Sequence, residues 1–155
     1  MVKEEDRMDT INVVVEQPTF AIVILHTEEG VYMSQRTHPH KPMYLMYQVP
    51  GGKTELMETG KQAACREVYE ETGLSIAHKR IKYLDNDPEF NCDLYHVRLM
   101  DNELPERMEP ANMGSWLMYP WTSFYKMAAE GRTTPSLTKF RAKIMEKARG
   151  FLGQT

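Results

Sequence analysis

Glu67, Glu70 and Glu71 stand at i, i+3 and i+4, with Arg66 immediately before them. On an α-helix of about 3.6 residues per turn this spacing sends all three carboxylates out of one face. Like charges so placed cost a helix roughly a few tenths of a kcal/mol per pair. A hard divalent cation relieves that repulsion. Magnesium prefers oxygen ligands, keeps several waters, and typically takes one or two carboxylates plus the phosphates of a substrate. For the triad alone the competing reading is a solvated acidic face, and the residues on either side of it decide between the two.

The elements that must position these acids are legible around them. Residues 46–49 are mostly apolar and run into Pro50, Gly51 and Gly52, so a strand is expected to end in a turn whose backbone can approach an ion or a phosphate closely. Thr59 is the expected N-cap of the helix and Gly73 its C-cap. Ala64, Val68 and Thr72 form a stripe opposite the carboxylates, which would fix the helix to a sheet while its other face stays open. Arg66 lies within a turn of Glu67 and Glu70 and, with Glu58, is suited to hold them in place.

Residues 51–74, GGKTELMETGKQAACREVYEETGL, resemble the Nudix box at every fixed position: Gly52, Glu58, Arg66, Glu67, Val68, Glu70, Glu71, Gly73 and Leu74. The nearest look is to the MutT type, through VPGGKTE before the helix and through RMEPANMGSW, which resembles an EPxxxxxW element. The resemblance implies an α+β fold, an α/β/α sandwich with a mixed β-sheet between helices, and hydrolysis of a nucleoside diphosphate linked to another group. Its implied metal ligands are the carbonyl of Gly51 and the side chains of Glu67, Glu70 and Glu71, with Mg²⁺ as the cofactor and Mn²⁺ as a substitute. A loop acid commonly joins them; Glu109 is assigned, with Glu103 and Glu106 as competitors. Glu67 or Glu70 is the general base, supported by Arg66. Arg36 and Lys53 are assigned to substrate phosphates, one as a fork and the other as a point charge. Trp116 is assigned to stacking on a base, against a core role. The comparable stretch to one that reads oxidised guanine in some relatives is GRTTPS, which has no asparagine; a preference for 8-oxo-guanine nucleotides is therefore not implied.

Elsewhere the chain supplies a frame. Residues 1–10 are polar and read as a flexible N-terminus, and residues 11–155 as a single Nudix domain. Residues 11–15 and 19–25 read as strands. A turn at Glu28, Glu29 and Gly30 closes a hairpin onto residues 31–35. Residues 37–42, THPHKP, make a loop in which His38 and His40 lack a third ligand at metal spacing. Residues 75–84 are expected as a strand ended by the turn DNDPE, and residues 91–100 as a second. His96 falls in that second strand as a sheet residue. A long loop over 101–115 leads to a last strand at 116–120. Helices follow at 122–130, ended by Gly131, and from Pro135 to a stop at Gly150.

A net charge of −3 gives no basic surplus for general nucleic-acid binding, so an RNA partner is disfavoured, and the partner expected is a small-molecule nucleotide. Cys65 and Cys92 form no CxxC pair, which fits free thiols in a reducing cytoplasm. No run reaches the eighteen or so apolar residues of a membrane span. A monomer and a homodimer both remain open. The leading expectation is a Mg-dependent nucleoside triphosphate pyrophosphatase serving nucleotide-pool sanitation. Dinucleoside polyphosphates, diphosphoinositol phosphates and RNA 5′ caps are alternatives of the same class, and a non-catalytic nucleotide-sensing domain is one of another class.

Overall fold

The computed structural model describes residues 19–152, with side chains through residue 147. The N-terminal expectations, a flexible stretch over 1–10 and a strand at 11–15, lie outside the described residues. Strands β1 (Phe20–His26), β2 (Gly30–Gln35), β3 (Tyr47–Gln48) and β4 (Gly51–Lys53) precede helix α1 (Gly60–Thr72). A 3₁₀ turn (His78–Arg80) leads to β5 (Lys82–Asp87), β6 (Cys92–Arg98) and β7 (Leu117–Pro120), and then to α2 (Trp121–Ala129) and α3 (Pro135–Leu152). Among the described residues the sheet runs β3-β2-β1-β6-β5, with β4 also paired to β1 and β7 to β2. β1 and β6 are parallel and the other pairings antiparallel, so the sheet is mixed.

Alternation along β1 builds both faces of the sandwich, because successive side chains of a strand point to opposite sides. Ala21, Val23 and Leu25 pack with Ala63, Ala64 and Val68 of α1, and Ile24 packs with Phe124, Leu137, Phe140 and Ile144 of α2 and α3. The result is the α/β/α sandwich expected from the sequence. No helix among the described residues is long and apolar enough to cross a membrane.

Four local expectations are corrected. Residues 75–84 are not one strand: a loop and the 3₁₀ turn fill most of the span, and pairing begins at Lys82. Ile76 and Ile81 are both buried in the core beneath α1. Five positions apart, they would face opposite sides of a strand; the turn lets both reach one core. Asp85 to Asp87 belong to β5, paired with Leu94 to Cys92, so the chain reverses after them and not over DNDPE. Gly51–Lys53 is a strand on β1 and not an open turn. Gly150 does not end α3, which continues to Leu152; glycine keeps its N–H, so it weakens a helix without breaking it.

Candidate active site

Helix α1 is held at both ends by its own sequence. The Thr59 side chain accepts from the Gln62 amide, while the Gln62 side chain accepts from the Thr59 amide, a reciprocal capping box. Gly73 closes the helix in the left-handed region at φ 79°, and its N–H donates to the Tyr69 carbonyl. Buried Ala63, Ala64, Val68 and Thr72 fix the inner face against the sheet. The opposite face is thereby turned toward β4.

Arg66 organises that face. Its Nε and Nη2 donate to the two oxygens of Glu58 at 2.8 and 3.0 Å, a bidentate pair. Its Nη1 donates to Glu67 Oε2 at 3.1 Å and to Glu70 Oε1 at 3.2 Å, and Nη2 also reaches the Lys53 carbonyl at 3.0 Å. One guanidinium thus ties α1 to the segment before it and fixes two of the three acids. The Arg66 hydrogen bonds hold the Glu58 carboxyl below the usual carboxylate range.

Glu71 lies deeper and is not reached by Arg66. Only 8% exposed, it accepts from the Gly51 amide at 3.2 Å. Burial first, then the charge of Glu67, raises its carboxyl well above the usual range, and Glu109 adds to the effect. Burial raises Glu67 too, against the pull of Arg66. The close approach of β4 depends on Gly52, where an added Cβ would stand 2.3 Å from Glu67 Oε2.

Two hollows open beside these acids. A polar one of about 140 Å³ is lined by Glu71 and Glu109 together with His38, Lys41 and Asn112. A larger and mainly apolar one, about 400 Å³, includes Phe20, Ile22, Phe90, Cys92 and Ser136 in its wall. Arg36, Gln48 and Gly51 line both. Arg36 is held there by Gln48 Oε1, 2.8 Å from its Nη1, and by the Pro42 carbonyl.

The structure therefore gathers Gly51, Arg66, Glu67, Glu70, Glu71, Glu109 and Arg36 in one region. Of the other loop acids, Glu103 is paired with Arg80 at 2.7 Å, away from the hollow. Lys53 projects over the Phe20 ring, 5.8 Å from its centroid, and lines neither hollow. Trp116 requires a correction. It is 6% exposed, and its indole N–H donates to the Glu71 carbonyl at 2.9 Å, so it is a core residue behind the acids with no ring face on either hollow. His38, Lys41 and Asn112 were not singled out for this site by the sequence. Lys41 Nζ donates to Asn112 Oδ1 at 3.1 Å, a contact across 71 residues that no local spacing announces.

A family model for the NUDIX domain matches residues 15–143. The chain belongs to that family. Among solved structures it is similar to DR0079 from Deinococcus radiodurans, with a TM-score of 0.67 at 15% identity over 82% of each chain. It is also similar to a MutT NUDIX hydrolase from Burkholderia pseudomallei, with a TM-score of 0.53 at 22% identity over 74% of this chain and 98% of that one. A curated relative, "Putative 8-oxo-dGTP diphosphatase YtkD" of Bacillus subtilis (strain 168), is 55% identical over 38 residues. That match spans 24% of this Nudix chain and 23% of the relative, about a quarter of each.

The donor chemistry fits a hard divalent cation. Among the described residues no three His, Cys, Asp or Glu side chains form a ready cage for a metal. Magnesium does not require one, since waters and substrate phosphates complete its shell. What the site offers is crowded carboxyl oxygens on Glu67 and Glu71, both partly or largely buried, with Glu71 against the Gly51 backbone of β4. A cation bound among groups so arranged would offset the burial and mutual repulsion that disfavour their charged forms.

Proposed function

We propose that this Nudix protein is a Mg²⁺-dependent pyrophosphohydrolase that cleaves a (deoxy)nucleoside triphosphate into a monophosphate and pyrophosphate. The observation that carries this reading is the junction of the two hollows at Arg36, Gln48 and Gly51. An apolar space of about 400 Å³ is at the small end of ligand pockets and suits one base with its sugar. Its polar extension ends at the acids, where a triphosphate attached to that base would run.

Glu67, Glu70, Glu71 and the Gly51 carbonyl would hold the cation, with Glu109 from the facing loop. The cation supplies charge neutralisation of the phosphate oxygens, which otherwise shield phosphorus from attack. The chain's own residues do the rest. Arg36 presents a planar fork to phosphate oxygens at the mouth shared by both hollows. Arg66 keeps Glu67 and Glu70 aimed at the reacting region, as a positioning residue. Glu70 is 46% exposed at its side chain, the most open of the three helix acids, and takes the proton of the attacking water. Water oxygen bonds to phosphorus, the P–O anhydride bond breaks, and pyrophosphate leaves. In the apolar hollow, Phe20 and Phe90 offer half-exposed rings for stacking. Cys92 stays a neutral thiol, since burial pushes it up to about 11.

The purified protein, mixed with Mg²⁺ and a panel of nucleoside triphosphates, dinucleoside polyphosphates and sugar nucleotides, is expected to release pyrophosphate from the triphosphates. Glu70→Gln is expected to be silent. Turnover in heavy-oxygen water identifies the phosphorus attacked. Equal activity of Glu70→Gln and the parent protein would remove this assignment of the base.

A further inference from the structure

The loop between β2 and β3 reaches both hollows. Met43 lines the apolar one, Arg36 lies where the two meet, and Lys41 lines only the polar one. The loop is pinned at its base. The Arg36 carbonyl accepts from the Leu45 amide at 2.8 Å, the Arg36 guanidinium donates to the Pro42 carbonyl, and Gln35 Nε2 donates to the Leu45 carbonyl. Met43 and Leu45 stand at φ 63° and 68°, a region that bulky side chains rarely adopt and keep only where surrounding contacts demand it. Lys41 is thereby carried to one place.

Across the hollow, the Asn112 and Met113 amides both donate to the Glu109 carbonyl, forming a turn that presents Glu109 and Asn112 together. Lys41 Nζ closes the gap by donating to Asn112 Oδ1 at 3.1 Å. Among the described residues this ammonium forms no ion pair, although Glu71 and Glu109 line the same hollow. A cation resting on a neutral amide has a weaker partner than a phosphate oxygen, because a hydrogen bond gains strength when its acceptor is ionised. An anion entering the hollow therefore draws the ammonium from Asn112. The hollow is also small, about 140 Å³ against roughly 300 to 1,000 Å³ for a pocket that encloses a drug-sized ligand. It is the size for phosphate groups and not for a second nucleoside.

We propose that Lys41 reads the length of the phosphate chain, leaving Asn112 to bind the terminal phosphate of a nucleoside triphosphate. The inference rests on the reading above for where the nucleotide lies, with its base in the apolar hollow and the Arg36 fork on the phosphates nearer the sugar. A diphosphate ends short of Lys41 and gains nothing from it. An ammonium on a flexible stem is a point charge that can follow a phosphate as it becomes part of the leaving pyrophosphate.

The test measures binding, apart from turnover. Triphosphate and diphosphate analogues of one nucleoside, with methylene bridges in place of the anhydride oxygens, are titrated calorimetrically in Mg²⁺ into the parent, Lys41→Ala and Lys41→Arg. Lys41→Ala is expected to weaken the triphosphate analogue roughly tenfold, the effect of one hydrogen bond to a charged group, and the diphosphate analogue by less than about twofold. Lys41→Arg keeps the charge and is expected to keep the preference. Lys126→Ala removes the same charge on α2, outside both hollows, and is expected to change neither affinity. Equal weakening of both analogues by Lys41→Ala, or of neither, overturns the proposal. A parent that holds the two analogues equally tightly overturns it as well. A parent that binds with the expected pattern yet releases no pyrophosphate removes the catalytic reading and leaves the role of Lys41 standing.

Discussion

The indole N–H of Trp116 donates to the backbone carbonyl of Glu71 at 2.9 Å, joining the residue just before the last strand to the C-terminal turn of the helix that carries the acids. The contact bridges 45 residues and supports Glu71 from behind, while the Gly51 amide holds its carboxylate from the front. Trp116→Phe keeps most of the packing and removes the donor. It is expected to cost about 1 to 2 kcal/mol of stability, because a buried carbonyl loses its partner. Activity should fall through kcat with the KM for nucleotide nearly constant. A rise in KM alone would mean that the ring stacks on the base after all.

Gly52→Ala separates site geometry from stability. The new Cβ would stand 2.3 Å from Glu67 Oε2, the far end of a side chain that can swing away. The fold should therefore lose little, while Glu67 leaves the position that Arg66 gives it. Expected are a melting temperature within a few degrees of the parent and a drop in kcat/KM of more than about tenfold, in the range seen when groups that orient metal ligands are lost. Parallel thermal unfolding and kinetics check both halves. A variant with full activity would show that Glu67 does not need its present place.

Helix α1 was legible because everything that defines it is local. Thr59, Gln62, Gly73 and the i, i+3, i+4 acids lie within a few turns of each other, and capping and periodicity act over that range. Strands β1, β2, β6 and β7 were legible for the same reason, while β4 and β5 were not. What the sequence did not display is the facing wall of the site. His38, Lys41 and Asn112 reach it because Arg36 ties the loop after β2 to the Pro42 and Leu45 backbone and pairs with Met113 in an isolated bridge. Trp116 was open between stacking and core because an indole serves either, and only the partner of its N–H decides. Residues 75–84 misled because their alternation is weak, and the two isoleucines at 76 and 81 answer to one core through a turn.

Metal binding should release protons. Burial, followed by the charge of Glu67, keeps the Glu71 carboxyl protonated at neutral pH, and Glu67 is raised with it. A divalent cation entering the site must displace that proton. Calorimetric titration of Mg²⁺ into metal-free protein at pH 7, in two buffers of different ionisation enthalpy, is expected to report release of about one proton. The release should shrink toward high pH, where the free carboxyl has already ionised. Heats independent of buffer would show that the cation binds elsewhere.

The two buried histidines make the fold sensitive to acid. His26 Nε2 and His96 Nδ1 are 3.0 Å apart, so one ring donates and the other accepts, and both are neutral. Burial lowers His26 from 6.5 to about 3, aided by His96 and Arg98, and lowers His96 to about 4, aided by Lys82. Between those values and 6.5 the unfolded chain binds protons that the native state refuses. The contribution of the two histidines is therefore full above about pH 6.5 and is lost as pH falls, by up to about 1.4 kcal/mol per pH unit for each histidine, against the opposite slope of the raised Glu71 carboxyl. Urea unfolding at pH 7 and pH 5, of the parent protein and of a variant without the pair, is expected to show the histidine part as the difference between them. His26→Leu/His96→Leu removes both proton acceptors, so its decline should be shallower whatever its starting stability. A double variant with the parent's slope would assign the acid sensitivity to the carboxyl groups instead.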